Sequence, residues 1–188
     1  MNTRLAHEPP LSNARLGMML FVAAEVMLFS GLIAGYVVLR FGSGNFRGIE
    51  PLPVGLTGIS TGVIAASSVF LIAATRGARR GNRSQVKFGA LGALILGTLF
   101  LGLQALEWNQ LMGQGVLPSA NVLGGMFYVL SWAHALHVFG GLVLLAVLAT
   151  AAFRGRSLRW RNMDTVASIY WHFVTLIWIA LFYMLFVA

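Results

Sequence analysis

Five ionisable side chains of this 188-residue sequence fall inside strongly apolar stretches: Glu25, Glu107, His134, His137 and His172. A charged group at the centre of a bilayer costs at least about 2.5 kcal/mol on insertion scales, so each needs a partner or a task. His134 and His137 are spaced i,i+3 and share a helical face, with Ser131 three residues earlier. Gln104 and Glu107 have the same spacing. Ser168, His172 and Thr175 lie on a common face of a third segment.

Four chemistries fit these residue types. Buried hydrogen-bonded pairs that fix helix order require nothing beyond the groups named. Two histidines with a glutamate are a ligand set for zinc or iron, but no fourth ligand stands at a matching spacing. Axial haem ligation by two histidines needs both at one depth. A proton relay through Glu25 needs a carboxyl group near the membrane midplane, and no continuous series of relay groups accompanies it. The chain has no cysteine, which removes disulfides, thiolate metal sites and thiol nucleophiles. Its 8 methionines are scattered rather than clustered and read as apolar filler.

The elements that hold these groups follow from hydropathy. Apolar residues make up 58% of the chain and charged residues only 10%, with a mean hydropathy of +0.80. A soluble domain carries roughly a quarter charged residues, so the bilayer is the solvent that fits. Five apolar runs predict an all-α bundle of transmembrane helices over about 14–40, 54–75, 88–113, 122–153 and 165–187, in a single domain. The polar start followed by a long apolar run, without a small-residue cleavage site, predicts a retained first helix and not a signal peptide. No strand-like alternation or internal repeat is present.

Charge sets the orientation. On the N-terminal side lie Arg4, Arg15, Arg76, Arg79, Arg80, Arg83, Lys87, Arg154, Arg156, Arg159 and Arg161, against Arg40 and Arg47 on the other, eleven to two. The N-terminus is therefore expected in the cytoplasm and the C-terminus outside. The net charge of +8 marks orientation and not nucleic-acid binding, because the basic residues sit between the apolar runs. Gly31 with Gly35, Gly58 with Gly62, and Gly89 with Ala93 and Gly97 are small-residue faces that let helices approach closely. The aromatic residues crowding the last helix read as packing and interfacial anchors.

Axial rise then gives approximate heights. Glu25 lies about 15 Å past Arg15, and His172 about 12 Å past Asp164, from the same side. Glu107 lies about 28 Å from that side, and His134 and His137 roughly 30 and 26 Å from Arg154. Two polar layers are predicted, Glu25 with His172, and Glu107 with His134 and His137. The mismatch in height argues against bis-histidine haem ligation.

These residues sit in strings that resemble subunit III of the haem–copper cytochrome c oxidases, in its five-helix bacterial form. LGMMLFVAAEVMLFSGLIAGYVVLR is similar to the family's glutamate-bearing helix, with Glu25, Phe29, Gly31 and Tyr36. LQALEW places Gln104 and Glu107, and FYVLSWAHALHVFGG places Phe127, His134, His137, Val138 and Gly141. YWHFVTLIWIALF is similar to the family's last helix, except that Thr175 stands where the family has an acidic residue. The long form has seven helices, and the first two have no counterpart here.

The resemblance implies a partner subunit and not a catalyst. Such a chain binds no haem or copper itself, since both belong to partner subunits. It packs against subunit I, alongside subunit II and a small subunit IV, among membrane lipid that includes a structural phospholipid. It stabilises subunit I and supports proton uptake, with Glu25 as the buried helix glutamate and His172 near it. The assembly reduces oxygen to water in a bacterial inner membrane with electrons from cytochrome c. A quinol-oxidase subunit III and a nitric oxide reductase accessory subunit are near alternatives. A free-standing transporter or metalloenzyme is the competing class, although transporters more often show broken helices or repeats.

Overall fold

A computed structural model describes residues 13–42, 54–119, 122–154 and 160–187. They form five helices: α1 (Asn13–Gly42), α2 (Val54–Arg79), α3 (Arg83–Gly113), α4 (Val122–Phe153) and α5 (Trp160–Phe182), the last closing in a π-helical turn, Tyr183–Val187. Each is long and apolar enough to cross a membrane. No strand occurs among the described residues. Residues 43–53, in the connection rich in Gly and Pro, and 155–159, in the Arg-rich connection, lie outside the described residues, and so do Arg4, Arg47, Arg156 and Arg159.

Three helices reach further into polar sequence than the apolar runs do. α2 continues through Arg76 to Arg79, α3 starts at Arg83, and α5 starts at Trp160. Hydropathy marks the hydrocarbon boundary, whereas backbone hydrogen bonding carries on until something stops it. Between α2 and α3 the stop is local. Gly81 takes φ +71°, a conformation that favours glycine, and the Asn82 side chain accepts from the Gln85 N–H at 3.1 Å.

α5 is the central helix, in contact with α1, α2 and α4, while α2 and α3 form the closest antiparallel pair. Gly89 makes that approach possible. A Cβ there would lie 2.7 Å from both the Ala74 nitrogen and the Phe70 carbonyl oxygen. Gly97 and Gly141 form a second slot, filled by the indole of Trp171, which would meet an added Cβ at 2.6 and 2.7 Å respectively. The other glycine repeats do not act this way. Nothing lies within 4 Å of a Cβ at Gly31, Gly58 or Gly62, and Gly35 meets only Met126. Gly31, Gly58 and Gly62 point away from the described helices, because α1 and α2 bury their other sides, through Phe29 and Tyr36, and through Thr57, Ser60 and Ile64.

Hydrogen bonds between α2 and α5 add direction to this packing. Trp171 Nε1 donates to Ser67 Oγ at 2.9 Å, Trp178 Nε1 to Thr61 Oγ1 at 3.0 Å, and Ser68 and Thr175 share a hydroxyl contact of 2.8 Å. Such bonds contribute about 0.6 kcal/mol each on average within a membrane. At the far end Arg40 donates to the Met184 carbonyl at 2.9 Å and to Tyr36 Oη at 3.3 Å, tying α1 to the π-helical turn.

Candidate functional site

Glu25 sits on α1 facing α4, where its Oε2 lies 2.9 Å from His137 Nε2. The approach is off the ring N–H axis, so it is a close polar contact and not an aligned hydrogen bond. His137 is held on two further sides. Its Nδ1 is 2.6 Å from the Ala133 carbonyl one turn earlier, and Tyr170 of α5 donates its hydroxyl to the His137 carbonyl at 3.0 Å. Phe29 stands edge-on to the imidazole at 5.1 Å. The two side chains keep 20% and 13% of their surface for His137 and Glu25, so the pair is near the surface of the bundle without being open.

His134 faces a different neighbourhood. It is fully buried, stacked on Trp178 at 5.0 Å, with Phe100 and Phe29 edge-on at 6.0 and 6.4 Å. Among the described residues neither of its ring nitrogens has a hydrogen-bond partner.

Glu107 belongs to a third group, between α3 and α2. Ser60 donates to its Oε1 at 3.0 Å and Gln104 Nε2 to its Oε2 at 2.9 Å, with a further hydrogen bond from the Thr57 side chain. Gln104 Oε1 has no partner among the described residues. Ser131 accepts from Trp108 Nε1 at 3.2 Å.

The two predicted layers are thus corrected in their partners. Glu25 meets His137 and not His172, and Glu107 meets Ser60 and Gln104 and neither histidine. Two physical reasons account for this. α4 has 32 residues, about 48 Å of helix against about 30 Å of hydrocarbon, so counting from its end overstates the height of His134 and His137. Azimuth is the second reason. Position 172 lies about 200° around α5 from Tyr170, the residue that turns to α4, and His172 is only half-buried. Thr175 turns to Ser68 of α2.

Sequence reasoning missed Thr57, Ser60 and Tyr170. The signal for the first two was present: Thr57, Ser60, Thr61, Ser67 and Ser68 form a polar stripe at helical spacing in an apolar run. The arrangement supports two kinds of chemistry, a carboxyl–imidazole contact able to hold a proton and a hydrogen-bonded carboxyl group joining two helices. His134, His137 and Glu107 do not converge, and among the described residues no three metal-binding side chains do.

Comparison with known proteins agrees with this architecture. Residues 6–188 match the family model described as cytochrome c oxidase subunit III. The chain is 32% identical over 174 residues to cytochrome c oxidase subunit 3 of Corynebacterium diphtheriae, covering 88% of this chain and 83% of the relative. It is 31% identical over 173 residues to the protein of the same description from Bacillus subtilis, covering 90% and 84%. The cytochrome bo(3) ubiquinol oxidase subunit 3 of Pseudomonas aeruginosa is 28% identical over 174 residues, covering 90% and 82%. A bundle of five membrane-spanning helices, with these matches along almost its whole length, belongs to the cytochrome c oxidase subunit III family.

Proposed function

We propose that this chain is the non-redox subunit III of a haem–copper terminal oxidase in a bacterial inner membrane. In this role it packs against subunit I, with subunit II and a small subunit IV in the same assembly. It steadies subunit I and supports proton uptake while oxygen is reduced to water. The observation that carries the reading is the Glu25–His137 contact, a carboxyl group against an imidazole between α1 and α4 of a chain in this family. Haem and copper are assigned to the partner subunits. Membrane lipid, including a structural phospholipid, is assigned to outward apolar side chains such as Met27, Phe88 and Leu136. The N-terminus is assigned to the cytoplasm on the distribution of Lys and Arg.

Cytochrome c is the proposed electron donor, as the names of most of the relatives suggest. The relative described as a ubiquinol oxidase subunit supports quinol as the second reading. Affinity purification of the chain from detergent-solubilised membranes tests the assignment. The expected product contains a haem-bearing partner that oxidises cytochrome c. Oxidation of quinol alone moves the chain to the second branch. Recovery of this chain by itself, without haem absorbance, contradicts both.

A further inference from the structure

We propose that the outward face shared by α5 and α2, with His172, Leu176, Ile179, Gly58 and Gly62, seats a transmembrane helix of another subunit, which brings a hydrogen-bond acceptor to His172. That seat presupposes the subunit reading above and gives it a contact face.

Of the five ionisable side chains in the apolar runs, His172 takes part in none of the contacts around Glu25, His134 and Glu107. Among the described residues it has no hydrogen bond, ion pair or ring contact. An imidazole carries at least one N–H in any protonation state found in proteins, so it needs an acceptor. His172 lies about 12 Å past Asp164 and about 22 Å short of Val187, well inside a hydrocarbon layer about 30 Å thick. Headgroups do not reach that depth, and acyl chains offer no acceptor. Ionisable side chains within a span almost always face protein or a water-filled cavity, and His172 is only half-buried by its own bundle.

The bonded neighbours fix which way the face looks. Successive residues of a helix turn by about 100°. On α5, Tyr170 bonds to α4 and Trp171 to α2, so His172 turns on past α2, away from α4. On α2, Ser60 bonds to α3 and Thr61 to α5, so Gly62 turns on past α5, away from α3. α3 and α4 pack on each other, so both turns lead to one side of the bundle. Leu176, Ile179 and Tyr183 continue the stripe from His172 and are 64%, 42% and 58% exposed. The bond between Trp178 and Thr61 brings Gly62 within a turn of Ile179, with Gly58 one turn on toward Tyr183. A Cβ at either glycine meets nothing within 4 Å. Small residues beside an apolar stripe let a further helix approach closely, and a helix brings polar side chains to the depth of His172, as lipid does not.

The test uses the oxidase complex purified from membranes through a tag on this chain. A photoreactive benzophenone side chain replaces Leu176 in one variant and Leu136, assigned to lipid, in another. Illumination is expected to join position 176 to a transmembrane peptide of another subunit and position 136 to lipid. Adducts at 176 with lipid alone, or with a second copy of this chain, would overturn the seat. Glycine variants read the same face without the label. Gly62→Leu should lower the haem recovered per chain severalfold. Gly102→Leu, at an α3 position where a Cβ also meets nothing within 4 Å, should recover as much as the parent. Full recovery with Gly62→Leu, or equal losses in both, would contradict the seat. His172→Leu should weaken retention and His172→Asn restore part of it, and retention at the parent level by His172→Leu would remove the bond to His172. A parent chain that emerges without any other subunit overturns the subunit assignment and the seat together, whereas lipid adducts at 176 in a haem-bearing complex overturn the seat alone.

Discussion

Phe29, Phe100 and Trp178 enclose the imidazole of His134 on three sides, and neither ring nitrogen is bonded among the described residues. Glu107, by contrast, is bonded at both oxygens. Opposite mutational outcomes follow. Removing a buried polar group that has no partner relieves a desolvation cost, so His134→Leu should melt within about 1 kcal/mol of the parent or above it. Ser60→Ala leaves Glu107 Oε1 short of a donor and should cost about 1–3 kcal/mol. Thermal unfolding of the purified proteins in detergent compares the two, and a larger loss for His134→Leu would contradict the assignment of partners. Glu25, Glu107, His134 and His137 were legible in the sequence because ionisable side chains stand out in apolar runs. Their partners were not legible. Axial rise gives a height, but the turn of each helix about its own axis is set by packing, and it brought His137 and not His172 to Glu25.

Among the elements, glycine separates contacts made within the chain from faces left open. Gly89→Ala would drive a Cβ to 2.7 Å from the α2 backbone and should part α2 from α3, costing about 1–3 kcal/mol as overpacking. Gly58→Ala meets nothing within 4 Å and should leave the isolated chain as stable as the parent or slightly more so. Melting of both variants checks the contrast, and equal losses would show that the two glycine faces are not distinguished in this way. The five helices were legible from hydropathy, since only a bilayer accommodates so many long runs with so little charge. The start of α5 at Trp160 and of α3 at Arg83 was not, because helical hydrogen bonding outlasts the apolar stretch. Nor did the small-residue pattern say which glycine faces would be filled. Gly97 and Gly141 become a slot only when Trp171 arrives from α5.

For the whole molecule, the distribution of Lys and Arg assigns which way the bundle sits. The absence of cysteine makes orientation directly measurable. Exposed Arg80 lies at the basic end, and Leu117 follows α3 at the opposite end. In right-side-out vesicles a membrane-impermeant maleimide should label Leu117→Cys and leave Arg80→Cys unlabelled until the membrane is opened. The reverse pattern would invert the assigned topology. Proton uptake belongs to the same scale, because only the assembled oxidase performs it. The direct measurement is the proton-to-electron ratio and turnover of the complex in sealed vesicles, comparing the parent with Glu25→Gln. Undiminished haem content with a lower ratio or slower turnover in the variant is the predicted result. A variant that assembles fully and matches the parent in both would contradict a role for the Glu25–His137 pair in proton uptake.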